Sequence, residues 1–269
     1  MIDIFRGVVL GLVQGLTEFF PVSSSGHLIL VPSLLGWPDQ GIAFDTVLHL
    51  GTLFALLWAF RSDLQLLYRG MFVERDRASR QFGLRLLIAS FPGLLVGALF
   101  GDLIEAHLRG PNLVAFDLAF WALILLAADR FMAKKADALK NAQRASWRQA
   151  LSIGISQAIA FFPGTSRSGI TMTAGLLSGM DRTAAVTFSF YLSIPTIAAA
   201  GSYGILKIIR EPSLLGASGF PPLVAGFFAA LVSGVWAIRF LRSYVSTHSF
   251  NAFIWYRLAL AAIVLFVVR

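Results

Sequence analysis

The apolar segments of this chain come in two sizes, and the shorter ones constrain the fold most. A helix that crosses a bilayer needs about 20 predominantly apolar residues, with roughly 17 as a lower limit. Four stretches are too short, about 4–20 (stopped by Pro21), 26–35, 150–162 and 169–179. They form adjacent pairs, and each pair is joined by a polar run, PVSSSGH at 21–27 and PGTSRSG at 163–169. A short helix, a polar turn and a second short helix read as a re-entrant hairpin, which enters a membrane and leaves on the same side. Backbone exposed at that depth is tolerated only where protein buries it or it lines a wet cavity.

Six further segments approach full length: about 44–60, 84–100, 113–128, 184–200, 221–240 and 252–268. The expected fold is an all-α polytopic membrane protein, with about six full transmembrane helices and two re-entrant helical hairpins. Composition agrees. Only 13% of the residues are charged and mean hydropathy is +0.75, where globular domains carry about 25% charged residues. The apolar segments are too many for a signal peptide, and MIDIFRG lacks a basic start and a cleavage site.

The two halves resemble each other. GLVQGLTEFFPVSSSGHLILVPSLLG (11–36) lies over GISQAIAFFPGTSRSGITMTAGLLSG (154–179) with small shifts, which pairs Gln14 with Gln157, Gly26 with Gly169 and Gly36 with Gly179. The reading is a single membrane domain over 1–269, with repeat one at about 1–130 and repeat two at about 145–269. Each half holds one hairpin and three spans. Three is odd, so the second half starts on the opposite side: an inverted repeat whose broken helices meet near the midplane.

Loop charge supplies an orientation. Arg61, Arg69, Arg75, Arg77 and Arg80 fall in 61–83, and Arg130, Lys134, Lys135, Lys140, Arg144 and Arg148 in 129–149. Loop 101–112 holds only Arg109, and 201–220 only Lys207 and Arg210. The positive-inside rule puts the first two loops in the cytoplasm, so the first hairpin opens outward. Most of the net charge of +8 sits in those two loops, which argues against nucleic acid as a partner. There are no cysteines, which excludes disulfides, thiolate metal sites and cysteine nucleophiles.

The chemistry lies in the two runs. Glu18 is a carboxylate inside an apolar segment, and such a group is functional by default. Gln14, four residues earlier, shares its helix face. Near the negative end of its half-helix, Glu18 needs a proton, a cation or an arginine. Ser23, Ser24, Ser25 and Gly26 offer hydroxyls and backbone N–H groups at a helix start, an anion site, with His27 one turn on. Capping alone needs one serine, not three. The second run adds Ser166, Arg167, Ser168, Gly169 and Thr171, and an arginine fork suits phosphate. Carboxylate, hydroxyls, histidine and arginine make a phosphoryl-transfer set. Glu18, Ser24, His27 and Arg167 are the catalytic candidates; Gln14, Ser23, Ser25, Gly26, Ser166, Ser168, Gly169 and Thr171 are the substrate-binding ones. Asp45, His49 and Arg257 rank below them, and Gly93 with Gly97 reads as close helix packing.

At these residues the sequence resembles the bacterial undecaprenyl-pyrophosphate phosphatase family, known for bacitracin resistance. QGLTEFFPVSSSGH at 14–27 is similar to a family motif of Glu or Gln, three residues, Glu, then PVSSxGH. PGTSRSGIT at 163–171 is similar to PGxSRSGxT, and FSFYLSIP at 188–195 to a further segment. Gln14 stands where many members have glutamate, which weakens a metal-ligand or proton-carrier role there. The resemblance implies hydrolysis of a C55 prenyl pyrophosphate to the monophosphate and phosphate, recycling the cell-wall lipid carrier. It also implies the bacterial inner membrane, a site open to the periplasm, a homodimer, and a divalent cation (Mg or Ca) with Glu18 as a ligand. Two chemistries stay open. Ser24 attacks phosphorus with Glu18 as base or metal ligand and His27 as proton donor, or a metal-bound water attacks and Ser24 binds substrate. SSSGH is also similar to the PSGH element of acid-phosphatase-like lipid phosphatases, whose other two elements are missing. A transporter or flippase of prenyl phosphates is the alternative that inverted repeats suggest.

Overall fold

The structure is a computed structural model that describes residues 3–38, 40–132, 141–213 and 220–267. Among these, every regular element is helical. The eleven α-helices are α1 (Ile4–Phe19), α2 (Ser24–Leu35), α3 (Gly41–Ala59), α4 (Arg61–Tyr68), α5 (Arg77–His107), α6 (Pro111–Met132), α7 (Trp147–Ile159), α8 (Arg167–Leu177), α9 (Arg182–Arg210), α10 (Phe220–Val245) and α11 (Asn251–Val267). The four short helices expected from the sequence are α1, α2, α7 and α8, interrupted at the two polar runs.

All six longer segments are helical, but they differ in reach. Among the described residues, four helices are long and apolar enough to cross a membrane: Arg77–Gly101, Pro111–Phe131, Arg182–Arg210 and Phe220–Val245. A fifth span exists if α3 and the segment Arg61–Val73, bent by 71° from it, are taken together. The α11 helix stops at 17 residues. Helices α5 and α9 run past the apolar windows 84–100 and 184–200 that hydropathy gives. Their polar ends stay helical because Asp76 caps the first, accepting from Ala78 and Ser79 N–H, and Asp181 caps the second, accepting from Ala184 N–H.

Small residues bring the helices together. Gly7, Gly11 and Gly15 lie four apart on α1, and a methyl group on them would collide with the backbone oxygens of Pro222, Gly226 and Ala230, four apart on α10. Lipid tails give no hydrophobic drive to helix pairing, so such close approach supplies the packing. The α7 helix rests on α5 in the same manner, with Gly154 against the Ala89 backbone, Gly93 against Gln157 and Gly97 against the Phe161 ring. So α1 packs on α10 and α7 on α5. Gly93 and Gly97 therefore serve close packing.

A buried aromatic chain fills the core beside the first break. Phe19 meets Phe190 edge-on at 5.6 Å, Phe190 meets Phe60 at 6.0 Å, and Phe82 and Tyr191 extend the chain. This cluster lies toward the arginine-rich loops: Arg242 sits 4.9 Å over the Phe60 ring, and Tyr191 bonds to the Gln143 side chain.

Candidate active site

The two polar runs share one backbone conformation. Ser23 stands at φ 72°, ψ 94° and Ser166 at φ 74°, ψ 108°. Such positions cost a non-glycine residue of order 1–3 kcal/mol and persist only when their surroundings hold them. The same contact holds both. Ser23 Oγ accepts from Gly26 N–H at 3.3 Å, and Ser166 Oγ accepts from Gly169 N–H at 3.0 Å. Each serine thus caps the helix it begins. A side chain at Gly169 would press within 3.1 Å of both Ser166 and Arg257.

The runs are also tied to each other. Ser168 Oγ donates to the Phe20 carbonyl at 2.8 Å. Arg257 of α11, wholly buried, donates to four backbone carbonyls at 3.0–3.2 Å: Leu118 on α6, Pro21 in the first run, and Gly164 and Thr165 in the second. Thr165 Oγ1 donates to Asp117 at 3.1 Å.

Glu18 stands where the runs meet. Arg167 Nη2 donates to its Oε1 at 2.5 Å; Ser24 Oγ at 2.6 Å and Gln14 Nε2 at 3.0 Å donate to its Oε2. The four residues span α1, α2 and α8. His49 on α3 brings Nε2 to 3.5 Å from the same Oε2, while its Nδ1 donates to the Asp45 carbonyl at 2.7 Å. Two buried atoms of this group have no hydrogen-bond partner among the described residues: Arg167 Nη1 and Gln14 Oε1. Buried polar atoms are nearly always partnered. A guanidinium N–H left over beside a carboxylate-bound hydroxyl is a place for an anionic oxygen.

A pocket of about 390 Å³ opens from this point. Glu18, Ser24, Ser25, Ser166 and Arg167 reach it, and Gln157 and Thr196, bonded to each other at 3.2 Å, form one side. Arg109 and Lys207 stand on its wall from the ends of α5 and α9, and Arg109 is 3.8 Å from Asp45. The remaining candidates lie behind the wall. Gln14 backs Glu18, while Ser23, Gly26, Ser168 and Gly169 shape the turns. Thr171 Oγ1 donates to the Arg167 carbonyl at 2.8 Å and lies 2.7 Å from Ser189 Oγ. His27 also faces away from Glu18. Its Nδ1 donates to the Ser23 carbonyl at 2.7 Å, its Nε2 meets the Tyr256 hydroxyl at 2.8 Å, and the rings stack.

The sequence reading left Gln157, Arg109 and Lys207 out of the site and ranked His49 and Arg257 low. Two signals point to them in the sequence: the i, i+4 pair Asp45 and His49, and the pairing of Gln157 with Gln14 in the repeat. Nothing local in the sequence tells that α11 sends an arginine between the two runs.

A divalent cation fits this group in part. Among the described residues, no group of three His, Asp or Glu side chains could hold a metal. Yet Glu18 and Ser24 Oγ are hard oxygen donors that meet on the pocket wall. Magnesium characteristically uses one or two protein oxygens, waters and substrate phosphates. Glu18 is the residue that would hold it.

The family model for the bacitracin resistance protein BacA matches residues 7–263. The undecaprenyl-diphosphatase of Desulforudis audaxviator (strain MP104C) is 44% identical over 262 residues, covering 97% of this chain and 96% of that protein. That of Dechloromonas aromatica (strain RCB) is 42% identical over 263 residues, covering 97% and 93%. Undecaprenyl-diphosphatase 3 of Acinetobacter baylyi (strain ATCC 33305 / BD413 / ADP1) is 36% identical over 267 residues, covering 99% and 98%.

Proposed function

This chain belongs to the bacitracin resistance protein BacA family, and from that premise we propose that it hydrolyses undecaprenyl pyrophosphate to undecaprenyl phosphate and inorganic phosphate, returning the lipid carrier to cell-wall synthesis. The observation that carries the reading is the short bond from Ser24 Oγ to Glu18, with Arg167 on the other carboxylate oxygen.

In this reading Ser24 Oγ attacks the terminal phosphorus while its proton passes to Glu18. A bond forms between that phosphorus and Oγ, and the bridging P–O bond breaks. The prenyl monophosphate departs, taking the proton from Glu18. Water then attacks the phosphoserine, its proton passing through Glu18 back to Ser24 Oγ, and inorganic phosphate leaves. Arg167 Nη1 and the start of α8 meet the charge that gathers on the transferring group. A divalent cation held by Glu18 would neutralise phosphate charge.

The proposal includes a topology. The shared serine conformation in the two runs and the reciprocal packing of α1 on α10 and α7 on α5 support an inverted repeat. The arginine-rich loops take the cytoplasmic side. Arg109 and Lys207 belong to the two opposite, cation-poor segments and line the pocket, which supports an opening toward the periplasm. The experiment is phosphate release from undecaprenyl pyrophosphate by purified protein in detergent, where vectorial transport has no meaning. Turnover is expected, falling at least about 100-fold in Glu18→Gln. No release from the unmodified protein would favour a carrier that only moves lipid.

A further inference from the structure

Beside the polar pocket lies a second cavity of a different character, along the seam of α5 and α7. The helices touch closely at Gly154, Gly93 and Gly97. Farther along α5, a methyl group built on Gly101 would meet nothing within 4 Å. Between the helices runs a groove of about 630 Å³, lined by Val96, Phe100, Leu103 and Ile104 from α5, by Ile159 at the end of α7 and by Phe162 in the turn after it. The wall is hydrocarbon almost throughout. Ile104 belongs to the walls of both cavities, and the neighbours Phe161 and Phe162 divide between them, one on the pocket and one on the groove. The groove begins where the pocket ends.

We propose that this groove holds the isoprene units nearest the pyrophosphate of the lipid substrate, an inference that rests on the phosphatase reading above. An amphiphile whose head reaches Glu18 and Arg167 must lead its chain out sideways, through a wall without unsatisfied polar groups. The α5–α7 seam is such an exit, and it adjoins the pocket. Bilayer hydrocarbon is as apolar as the groove, so the contact adds little by burial. What it adds is placement, since a chain fixed beside Ile104 sets the angle at which the pyrophosphate enters. A phospholipid acyl chain meets the same surface, but it has no anchored head in the pocket.

The test fills the groove from each side, with Leu103→Trp and Ile159→Trp, and uses Leu123→Trp on α6 as a lipid-facing control. All three positions are already exposed on the protein surface, so folding should be kept. On undecaprenyl pyrophosphate in detergent, kcat/KM should fall about tenfold in both groove variants, a modest case of what misplacing a bound substrate costs. The control should match the unmodified protein. In parallel, a prenyl pyrophosphate with a diazirine in its first units should label residues 96–104 and 158–162, and undecaprenyl pyrophosphate should compete where excess phospholipid does not. Normal turnover in both groove variants, or labelling spread over the lipid-facing helices, would show ordinary lipid in the groove and overturn the proposal. Competed labelling of the groove in a protein that releases no phosphate would instead defeat the phosphatase reading and leave a prenyl-chain site standing.

Discussion

Arg167 and Arg257 both bring a guanidinium into the buried centre of this chain, and they use it in opposite ways. Arg167 holds Glu18 through Nη2 and leaves Nη1 without a partner among the described residues. Arg257 directs its donors to four backbone carbonyls. The first is therefore expected to matter for turnover and the second for the shape of the site. Arg167→Lys keeps the charge but loses the planar fork, which is needed to hold Glu18 and a phosphate oxygen at once. Turnover should drop about 10²–10³-fold, the usual loss for one preorganised donor. Its thermal melt, run on the same preparation, should stay near that of the unmodified protein. A lysine variant with full turnover would show that charge alone suffices. Arg257→Gln cannot reach four carbonyls, and each buried one left without a donor costs about 1–3 kcal/mol. That variant should melt clearly earlier and lose turnover with it. An unshifted melt would refute the clamp.

The helices show why some of this could be read from the sequence and some could not. Breaks announce themselves, because serines, glycine and proline within apolar sequence have few other uses; both interruptions, after α1 and after α7, are legible. Helix ends were not, since hydropathy reports the apolar window while Asp76 and Asp181 let α5 and α9 run past it. Convergence was hidden as well. His49, Gln157, Arg109 and Lys207 come from α3, α7 and the ends of α5 and α9, and only packing decides that they face one pocket. The partners of Arg257 are carbonyls, which every residue carries and which leave no trace in the sequence. The seam of α1 and α10 was overlooked although its glycines lie four apart, and it yields a direct test. Gly11→Leu would drive a branched side chain into the Gly226 backbone. It should cost more than the 1–3 kcal/mol usual for overpacking, because backbone cannot yield as a side chain does. A melt unchanged from the unmodified protein would mean that the helices are farther apart than described.

For the molecule as a whole, the two halves meet at one carboxylate, and the proposed topology decides which compartment sees it. The chain has no cysteine of its own, so single cysteines report cleanly. Gln143→Cys, on the arginine-rich side, should react with an impermeant maleimide only when the cytoplasmic face is opened. Glu211→Cys, after α9, should react in intact cells. Labelling of both from one side would end the inverted-repeat proposal. The aromatic core gives that orientation a purpose. Phe19, next to Glu18, meets Phe190 and through it Phe60, at the start of the first arginine-rich loop, and all three are fully buried. The cytoplasm is crowded with nucleotides and free pyrophosphate, which carry the same anhydride bond as the lipid. A hydrolase that approached them directly would drain the cell's energy currency. In the proposed topology a plug of rings would stand between Glu18 and that supply, so selectivity against ATP would follow from which way the protein faces, with no need for the pocket to tell one phosphate chain from another.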